Sequence, residues 1–158
     1  MRTGIGYDVH RLERGRKLFL GGVEIDFPKG LSGHSDGDCL IHAIIDALLG
    51  AAGQDDIGQL FPDTDPQYKN MRSTELLKNV MGLIRGRGMA VVNIDSIVIA
   101  EKPKINPYIL RMKQVLCPLL GMEKEDLGIK AKTNEGLGMI GKEEAIASLA
   151  QALIQEKT

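Results

Sequence analysis

The amino-acid sequence predicts an α/β (α+β) fold in which a mixed sheet of four to five strands is packed by helices. Strand-like runs rich in β-branched residues alternate with longer segments of helical periodicity, as in strand–helix–strand units. The 158 residues are 43% hydrophobic, and no low-complexity linker interrupts them. We therefore expect a single domain, residues 1–158, around one core.

Each element is predicted from its hydrophobic pattern and its turn residues. Gly21–Gly22 is typical of a hairpin turn, and Asp38 and Ser73 are expected to be helix N-caps, because their side chains accept hydrogen bonds from free backbone N–H groups. Strands are predicted at residues 5–10, 17–20, 23–25, 91–101 and 127–133. Helices are predicted at residues 38–52, at 73–87, from Asn106–Pro107 onward, and at 142–155.

The composition argues against a nucleic-acid-binding or membrane protein. Twenty Lys and Arg residues against 21 Asp and Glu residues give a net charge of −1, so no overall field favours a nucleic-acid partner. Cys39 and Cys117 stand among apolar neighbours, which predicts reduced, buried thiols. No signal-like or bilayer-length apolar run is visible, so we expect a cytoplasmic protein without a membrane partner.

Three polar residues indicate a metal site. Asp8 and His10 lie two residues apart on a predicted strand, so their side chains share one face. His42 lies in the apolar helix, in a polar stripe with Asp38 and Asp46 at i, i+4 and i+8 spacing. A carboxylate and two imidazoles with an open fourth position are the ligands of a catalytic zinc, and Asp46 could support His42. The alternative is three separately hydrogen-bonded polar groups.

Other segments indicate a phosphorylated ligand. His34–Asp38 precedes a helix N-terminus, which favours an anion, although a capped turn is an equal alternative. The acidic loop 55–66 could hold polyol hydroxyls or could be ordinary turn chemistry. Gly136–Glu143 nearly matches a phosphate-binding P-loop, but Glu143 replaces the required Ser or Thr, so a P-loop ATPase is rejected. Glu135 remains a candidate ligand for magnesium.

These motifs together resemble the 2-C-methyl-D-erythritol 2,4-cyclodiphosphate synthase family. The resemblance runs from the first predicted strand to the last element. It is carried by Asp8-Val9-His10, His34-Ser35-Asp36-Gly37-Asp38 with His42, Phe61-Pro62-Asp63-Thr64-Asp65 and Lys130-Ala131-Lys132-Thr133-Asn134-Glu135.

The resemblance implies a reaction and an assembly. The family converts 4-diphosphocytidyl-2-C-methyl-D-erythritol 2-phosphate into the cyclic diphosphate and CMP, in the non-mevalonate route to isoprenoids. Its members are homotrimers with active sites between subunits. The resemblance further implies zinc, or another divalent metal, at Asp8, His10 and His42, and magnesium or manganese at Glu135. It implies that His34 and Thr133 stabilise the transition state.

The resemblance also implies the residues that contact the substrate. Those expected around the metal and the methylerythritol phosphate are Asp8, Val9, His10, His34, Ser35, Asp56, Ile57, Gly58, Phe61, Pro62, Asp63, Thr64 and Asp65. Those expected around the cytidine are Ala100, Glu101, Lys102, Pro103, Lys104, Ile105, Asn106, Ala131, Lys132 and Thr133. Those expected at the glycine loop are Asn134, Glu135, Met139 and Lys142.

Three residues depart from the family pattern. Met139 stands where an aromatic residue is common, Lys142 where arginine is common, and Glu144 where glycine is common. Lys142 keeps the positive charge but lacks the bidentate fork with which arginine binds phosphate. This difference weakens the expectation of phosphate binding near the glycine loop, including that of an isoprenoid diphosphate in a channel of the trimer. Two rival readings remain: a zinc phosphohydrolase that uses water, and a trimeric binding module whose metal serves folding alone.

Overall fold

The chain forms one five-stranded mixed sheet and one separate two-stranded sheet in a computed structural model that describes residues 1–62 and 64–156. The strands are β1 (Arg2–Arg14), β2 (Leu18–Leu20), β3 (Val23–Ile25), β4 (Lys29–Leu31), β5 (Met89–Ile99), β6 (Leu127–Lys132) and β7 (Ala145–Glu156). The helices are α1 (Cys39–Ala51), α2 (Ile57–Leu60), α3 (Ser73–Gly86), α4 (Ile109–Leu120) and α5 (Gly138–Gly141). The predicted mixed sheet packed by helices is confirmed, with five strands.

The large sheet has the strand order β4-β1-β7-β5-β6. The β5–β6 pair is parallel, whereas β1 pairs with β4 and β7, and β5 pairs with β7, in antiparallel register. The predicted hairpin is present as β2 and β3, with Gly21 and Gly22 both at positive φ in its turn. The strands predicted at 91–101 and 127–133 are β5 and β6 within two residues.

The helix predicted at residues 142–155 is wrong, because this segment is the central strand β7. Its inner face, Ile146, Ser148, Ala150, Ala152 and Ile154, is fully buried. Its outer face also carries apolar residues, among them leucines at 149 and 153. With apolar side chains on both faces the two-residue alternation disappears, and the remaining pattern imitates the spacing of a helix.

Of the predicted helix caps, the structure confirms Asp38 but not Ser73. Asp38 is the predicted N-cap of α1 and accepts a hydrogen bond from the backbone N–H of Ile41 at 3.1 Å. Ser73 is not a cap, because α3 begins at Ser73 itself and Arg72 precedes it without a side-chain cap. Asn106 lies in a single 3₁₀ turn that leads into α4, also without a side-chain cap.

The two cysteines are buried free thiols, as the sequence predicts. Burial raises the pKa of both thiols, so Cys39 and Cys117 stay protonated and unreactive. Among the described residues, no helix has both the length and the apolarity that crossing a bilayer requires.

Helix α1 lies directly on strand β1 because two glycines leave room for its backbone. A Cβ at Gly4 would overlap the carbonyl oxygen of Ala47, and a Cβ at Gly6 would overlap that of Ala43. Both glycines lie on the strand face that also carries Asp8 and His10, since alternate residues of a strand share a face. The close approach therefore determines how near α1 comes to those two side chains.

We predict that Gly6→Ala lowers the free energy of unfolding by about 2 kcal/mol or more, because the added methyl meets backbone atoms that cannot move independently. Urea unfolding followed by circular dichroism measures the change. Gly82→Ala is the matched control: Gly82 lies exposed in α3 with open space around it, so alanine there should be neutral or stabilising by up to about 1 kcal/mol. Equal stability of Gly6→Ala and the parent would contradict the close approach.

Candidate functional site

Asp8, His10 and His42 form a compact cluster between β1 and α1. Oδ2 of Asp8 lies 2.8 Å from Nε2 of His10 and 3.0 Å from Nδ1 of His42. The two ring nitrogens lie 3.2 Å apart. The predicted grouping of one carboxylate and two imidazoles is therefore present, and no other group of three or more such side chains occurs among residues 1–62 and 64–156.

The second nitrogen of each ring is bound by another residue. Nδ1 of His10 donates to the carbonyl oxygen of Ser32 at 2.5 Å. Nε2 of His42 lies 2.9 Å from the hydroxyl of Ser73 and 3.2 Å from that of Ser35. These contacts hold both rings with one nitrogen directed into the cluster, as metal-binding histidines are held in proteins.

Asp8 and His10 shift each other's pKa values toward the charged forms. Burial disfavours the ionised form of Asp8, but the hydrogen bonds and charges of His10 and His42 outweigh it and lower the pKa of Asp8 well below its usual range. Burial alone would lower the pKa of His10. The hydrogen bond and charge of the Asp8 carboxylate outweigh burial, so the pKa of His10 is raised. An anionic Asp8 is the form that ligates a cation.

The donor set fits a divalent metal. Nitrogen and oxygen ligands about 2.0–2.2 Å from a tetrahedral ion lie roughly 3.3 Å from one another, and the three separations here, 2.8–3.2 Å, are close to that. One carboxylate and two imidazoles leave a fourth position for a ligand that the protein does not supply. A candidate metal site is thus formed by Asp8, His10 and His42.

The cluster opens into a cavity of about 230 Å³. Loops that precede α1 and that surround α2 form much of its wall. The residues around it are Asp8, His10, Gly33, His34, Ser35, His42, Ile57, Gly58, Phe61, Tyr68 and Leu76. Seven predicted substrate contacts therefore share one cavity with the metal cluster: Asp8, His10, His34, Ser35, Ile57, Gly58 and Phe61.

Several predicted contacts do not line this cavity. Val9 alternates with Asp8 and His10, so it lies on the opposite, exposed face of the sheet. Asp56 is instead the N-cap of α2 and accepts from the N–H of Gln59 at 2.9 Å. Pro62, Thr64 and Asp65 are not among the residues that line the cavity, and Asp63 lies outside the described residues.

Asp46 does not support His42, contrary to the possibility raised by their spacing. Its carboxylate accepts from the backbone N–H of Ile57 at 2.8 Å. Burial raises the pKa of Asp46, and the nearby charge of Asp56 adds to the increase. Asp46 therefore fixes the start of α2, and with it the part of the cavity wall that Ile57 and Gly58 supply.

A second cavity, of about 270 Å³, is bounded by the loops after β5 and β6. The backbone N–H of Ala100 donates to the carbonyl oxygen of Lys132, and the N–H of Asn134 donates to Glu101 at 3.1 Å, which joins the two loops. Lys102 is turned away and pairs with Glu143 at 3.1 Å. The residues around this cavity are Ala100, Glu101, Pro103, Lys104, Ile105, Asn106, Pro107, Ala131, Lys132 and Thr133.

The glycine loop is exposed. Glu135 adopts a positive φ of 51° and accepts from the hydroxyl of Thr133 at 3.0 Å, so its carboxylate is held beside the second cavity. Met139 lies exposed on the short helix α5, and Lys142 lies exposed directly after it. Neither side chain lines a cavity described above.

Four residues that complete the site were not predicted from the sequence. Gly33, Tyr68 and Leu76 line the first cavity, and Ser73 contacts His42. Tyr68 and Leu76 are not metal-binding residue types and belong to no recognised motif, so no local signal marks them. Ser73 was noticed only as a helix start, because its partner His42 is 31 residues away.

An open cluster of candidate metal ligands at the edge of a cavity, on a mixed α/β sheet, is typical of an enzyme that uses a metal on a small molecule. Comparison with known proteins identifies the family. Residues 1–155 match the YgbB family. The 2-C-methyl-D-erythritol 2,4-cyclodiphosphate synthase of Caldicellulosiruptor bescii is 56% identical over 155 residues, which cover 98% of this chain and 99% of that protein. The synthase of Clostridium acetobutylicum is 56% identical over 154 residues, with coverage of 98% and 99%.

Solved structures show the same fold. A 2C-methyl-D-erythritol-2,4-cyclodiphosphate synthase in a form bound to CDP is 38% identical, with a TM-score of 0.90 and coverage of 98% of this chain and 100% of that one. The bifunctional IspDF from Campylobacter jejuni is 42% identical, with a TM-score of 0.94 and coverage of 98% of this chain and 42% of that one. The chain belongs to the YgbB family. It has the family's activity, the synthesis of 2-C-methyl-D-erythritol 2,4-cyclodiphosphate in the non-mevalonate isoprenoid pathway.

We predict that His42→Ala lowers the metal content of the purified protein at least roughly ten-fold, because one of three protein ligands is lost. Elemental analysis after dialysis against a metal buffer measures this content. His34→Ala is the matched control, since His34 lines the same cavity but does not belong to the cluster. Full metal content in His42→Ala, or an equal loss in both variants, would contradict the ligand assignment.

Proposed function

We propose that the chain converts 4-diphosphocytidyl-2-C-methyl-D-erythritol 2-phosphate into the cyclic diphosphate and CMP by attack of the 2-phosphate on the β-phosphorus of the same molecule. The observation that carries this proposal is the open ligand cluster of Asp8, His10 and His42 at the edge of a cavity. Attack within one molecule needs no covalent intermediate on the protein, so the chain mainly positions the diphosphate and stabilises its charge.

Two cations are proposed. Zinc suits Asp8, His10 and His42, because nitrogen and carboxylate donors in this number are typical of catalytic zinc. Magnesium or manganese suits Glu135, an exposed carboxylate beside the second cavity, because these hard cations prefer oxygen. When bound, the two cations would neutralise the diphosphate oxygens and make the phosphorus more electrophilic.

His34 is proposed to stabilise the transition state together with Thr133. Nε2 of His34 is buried and has no hydrogen-bond partner among the described residues, and the side chain lines the first cavity. A buried polar atom without a partner is costly, so it is suited to bind a phosphoryl oxygen. Ser35, Asp56, Ile57, Gly58 and the loop 61–65 are proposed to hold the methylerythritol phosphate.

The cytidine is proposed to occupy the second cavity. Its lining coincides with the stretch Ala100–Asn106 and with Ala131–Thr133, apart from Lys102. The backbone of these two loops has N–H and carbonyl groups that can form hydrogen bonds with the polar edge of a base. A likeness to a synthase structure in a form bound to CDP adds support.

The active chain is proposed to be a homotrimer with sites between subunits. The outer sheet face exposes Ile5, Tyr7 and Val9 of β1, whose exposed fractions are 70%, 57% and 40%. Tyr7 lies opposite Leu149 of β7, which lies opposite Ile97 of β5, so the apolar stripe crosses three strands. An apolar face of this extent is typical of a surface that a second copy covers.

We predict that phosphorus NMR of the purified protein with its proposed substrate and magnesium will show the cyclic diphosphate and CMP. A zinc chelator should abolish both products, and restored zinc should restore them. Linear hydrolysis products would overturn the cyclisation and favour a phosphohydrolase. Loss of the folded circular-dichroism signal upon chelation would instead favour a metal that serves folding alone.

We further predict that two inactive variants will restore each other. His42→Ala removes a metal ligand, and Ala131→Trp fills the second cavity. If each site takes its metal from one chain and its cytidine cavity from the next, random trimers of the two regain about one quarter of the parent activity, half multiplied by half. Co-expression with differently tagged chains and measured CMP release tests this.

The control for this experiment is co-expression of His42→Ala with Asp8→Ala. Both chains then lack a metal ligand, so no pairing creates an intact site and activity stays at background. Failure of the first pair to recover, with mixed trimers verified by their tags, would place both halves of the site on one chain.

A further inference from the structure

Two residues outside the metal cluster hold His42 in a defined orientation. Nε2 of His42 contacts the hydroxyl of Ser73 at 2.9 Å, and that hydroxyl contacts Oδ1 of Asp36. Ser73 is fully buried, and the Asp36 side chain is only 6% exposed. The three side chains therefore form one continuous chain of hydrogen bonds, from the cluster to a buried carboxylate.

The direction of these hydrogen bonds follows from Asp36. The Ser73 hydroxyl donates its hydrogen to Oδ1 of Asp36, which acts as the acceptor of this contact. The Ser73 oxygen is then left with acceptor capacity alone toward His42. Nε2 of His42 must therefore carry the hydrogen of this contact, and in the neutral ring Nδ1 carries the lone pair.

Four donors surround the Asp36 carboxylate, so both of its oxygens act as hydrogen-bond acceptors. Oδ2 accepts from the backbone N–H of Ser73 at 3.0 Å and pairs with Nε of Arg72 at 3.4 Å. Oδ1 accepts from the Ser73 hydroxyl and, at 3.3 Å, from the N–H of Asp38. The guanidinium of Arg72 also lies over the ring of Phe19, 4.3 Å from its centroid, which fixes its position.

The cluster itself favours the wrong tautomer of His42. The carboxylate of Asp8 lies 3.0 Å from Nδ1 and is also an acceptor, so it attracts the ring hydrogen to Nδ1. A ring with its hydrogen on Nδ1 has no lone pair to offer a metal from that side. Some second acceptor, at Nε2, has to oppose this pull.

We propose that Ser73 and Asp36 are positioning residues that select the metal-binding tautomer of His42. Asp36 polarises the Ser73 hydroxyl, whose oxygen then accepts the Nε2 hydrogen more strongly and leaves Nδ1 free for the metal. Ser35 lies farther from Nε2, at 3.2 Å, and its hydroxyl oxygen also accepts from the N–H of Gly37, so it is the weaker partner. This inference rests on the metal site proposed above.

The first test is the metal affinity of Ser73→Ala. We expect its dissociation constant for zinc, measured by competition with a chromophoric chelator, to rise about 10- to 100-fold, as for other residues that orient metal-bound histidines. Ser96→Ala is the matched control. Ser96 is also a buried serine, 1% exposed, whose hydroxyl donates to the carbonyl oxygen of Gly128 at 2.7 Å in another part of the sheet. Its zinc affinity should equal that of the parent.

The second test begins with the parent protein, so its first result does not depend on the folding of a variant. In the zinc-loaded parent, proton NMR should detect the Nε2 hydrogen of His42 as a signal in slow exchange with water, because Ser73 accepts it in a buried site. In Ser73→Ala this signal should broaden or disappear, and in Ser96→Ala it should remain.

The outcomes separate this inference from the proposed function. A parent protein that binds no zinc would overturn the metal site itself. A parent that binds zinc, with Ser73→Ala within two-fold of its affinity, would overturn the positioning role alone. A rapidly exchanging Nε2 hydrogen in the zinc-loaded parent would also overturn it.

Discussion

The direct contact of helix α1 with strand β1 is the constraint on which the site depends. Gly4 and Gly6 remove two side chains from the strand face that Asp8 and His10 share, so the backbone of the helix can approach that face. The approach brings His42 to within about 3 Å of both ligands. A larger residue at either glycine would lift the helix and open the ligand set, because packed interiors do not absorb such a volume.

Two buried carboxylates then give the loop before α1 its shape. Asp38 accepts from the N–H groups of Gly21, Gly22 and Ile41, and thereby joins the β2–β3 hairpin to the helix. Burial raises the pKa of Asp38, and the charge of Asp36 two residues earlier adds to the increase. The same loop carries His34 and Ser35. The hydrogen bonds that Asp36 and Asp38 accept fix the shape of this loop, and they thereby position the two side chains that line the first cavity.

The sequence predicted those features whose cause is local. The two-residue spacing of Asp8 and His10, and the apolar helix after Asp38, follow from periodicity alone, and the structure confirms both. The strand β7 was mistaken for a helix because apolar side chains on both of its faces remove the two-residue alternation of a half-buried strand. The hydrogen bonds of Asp46 and Ser73 could not be inferred, since each depends on how distant segments meet.

The alternation of strand β1 places the candidate metal ligands and the proposed subunit interface on opposite faces of one strand. Its inner face carries Asp8 and His10, and its outer face carries Ile5, Tyr7 and Val9, the start of the apolar stripe. A one-residue change of register would exchange the two faces, burying the apolar stripe under α1 and exposing the ligands. The ten-residue pairing of β1 with the central strand β7 opposes that shift. The geometry of the candidate ligands and the proposed subunit interface are therefore two consequences of one strand register.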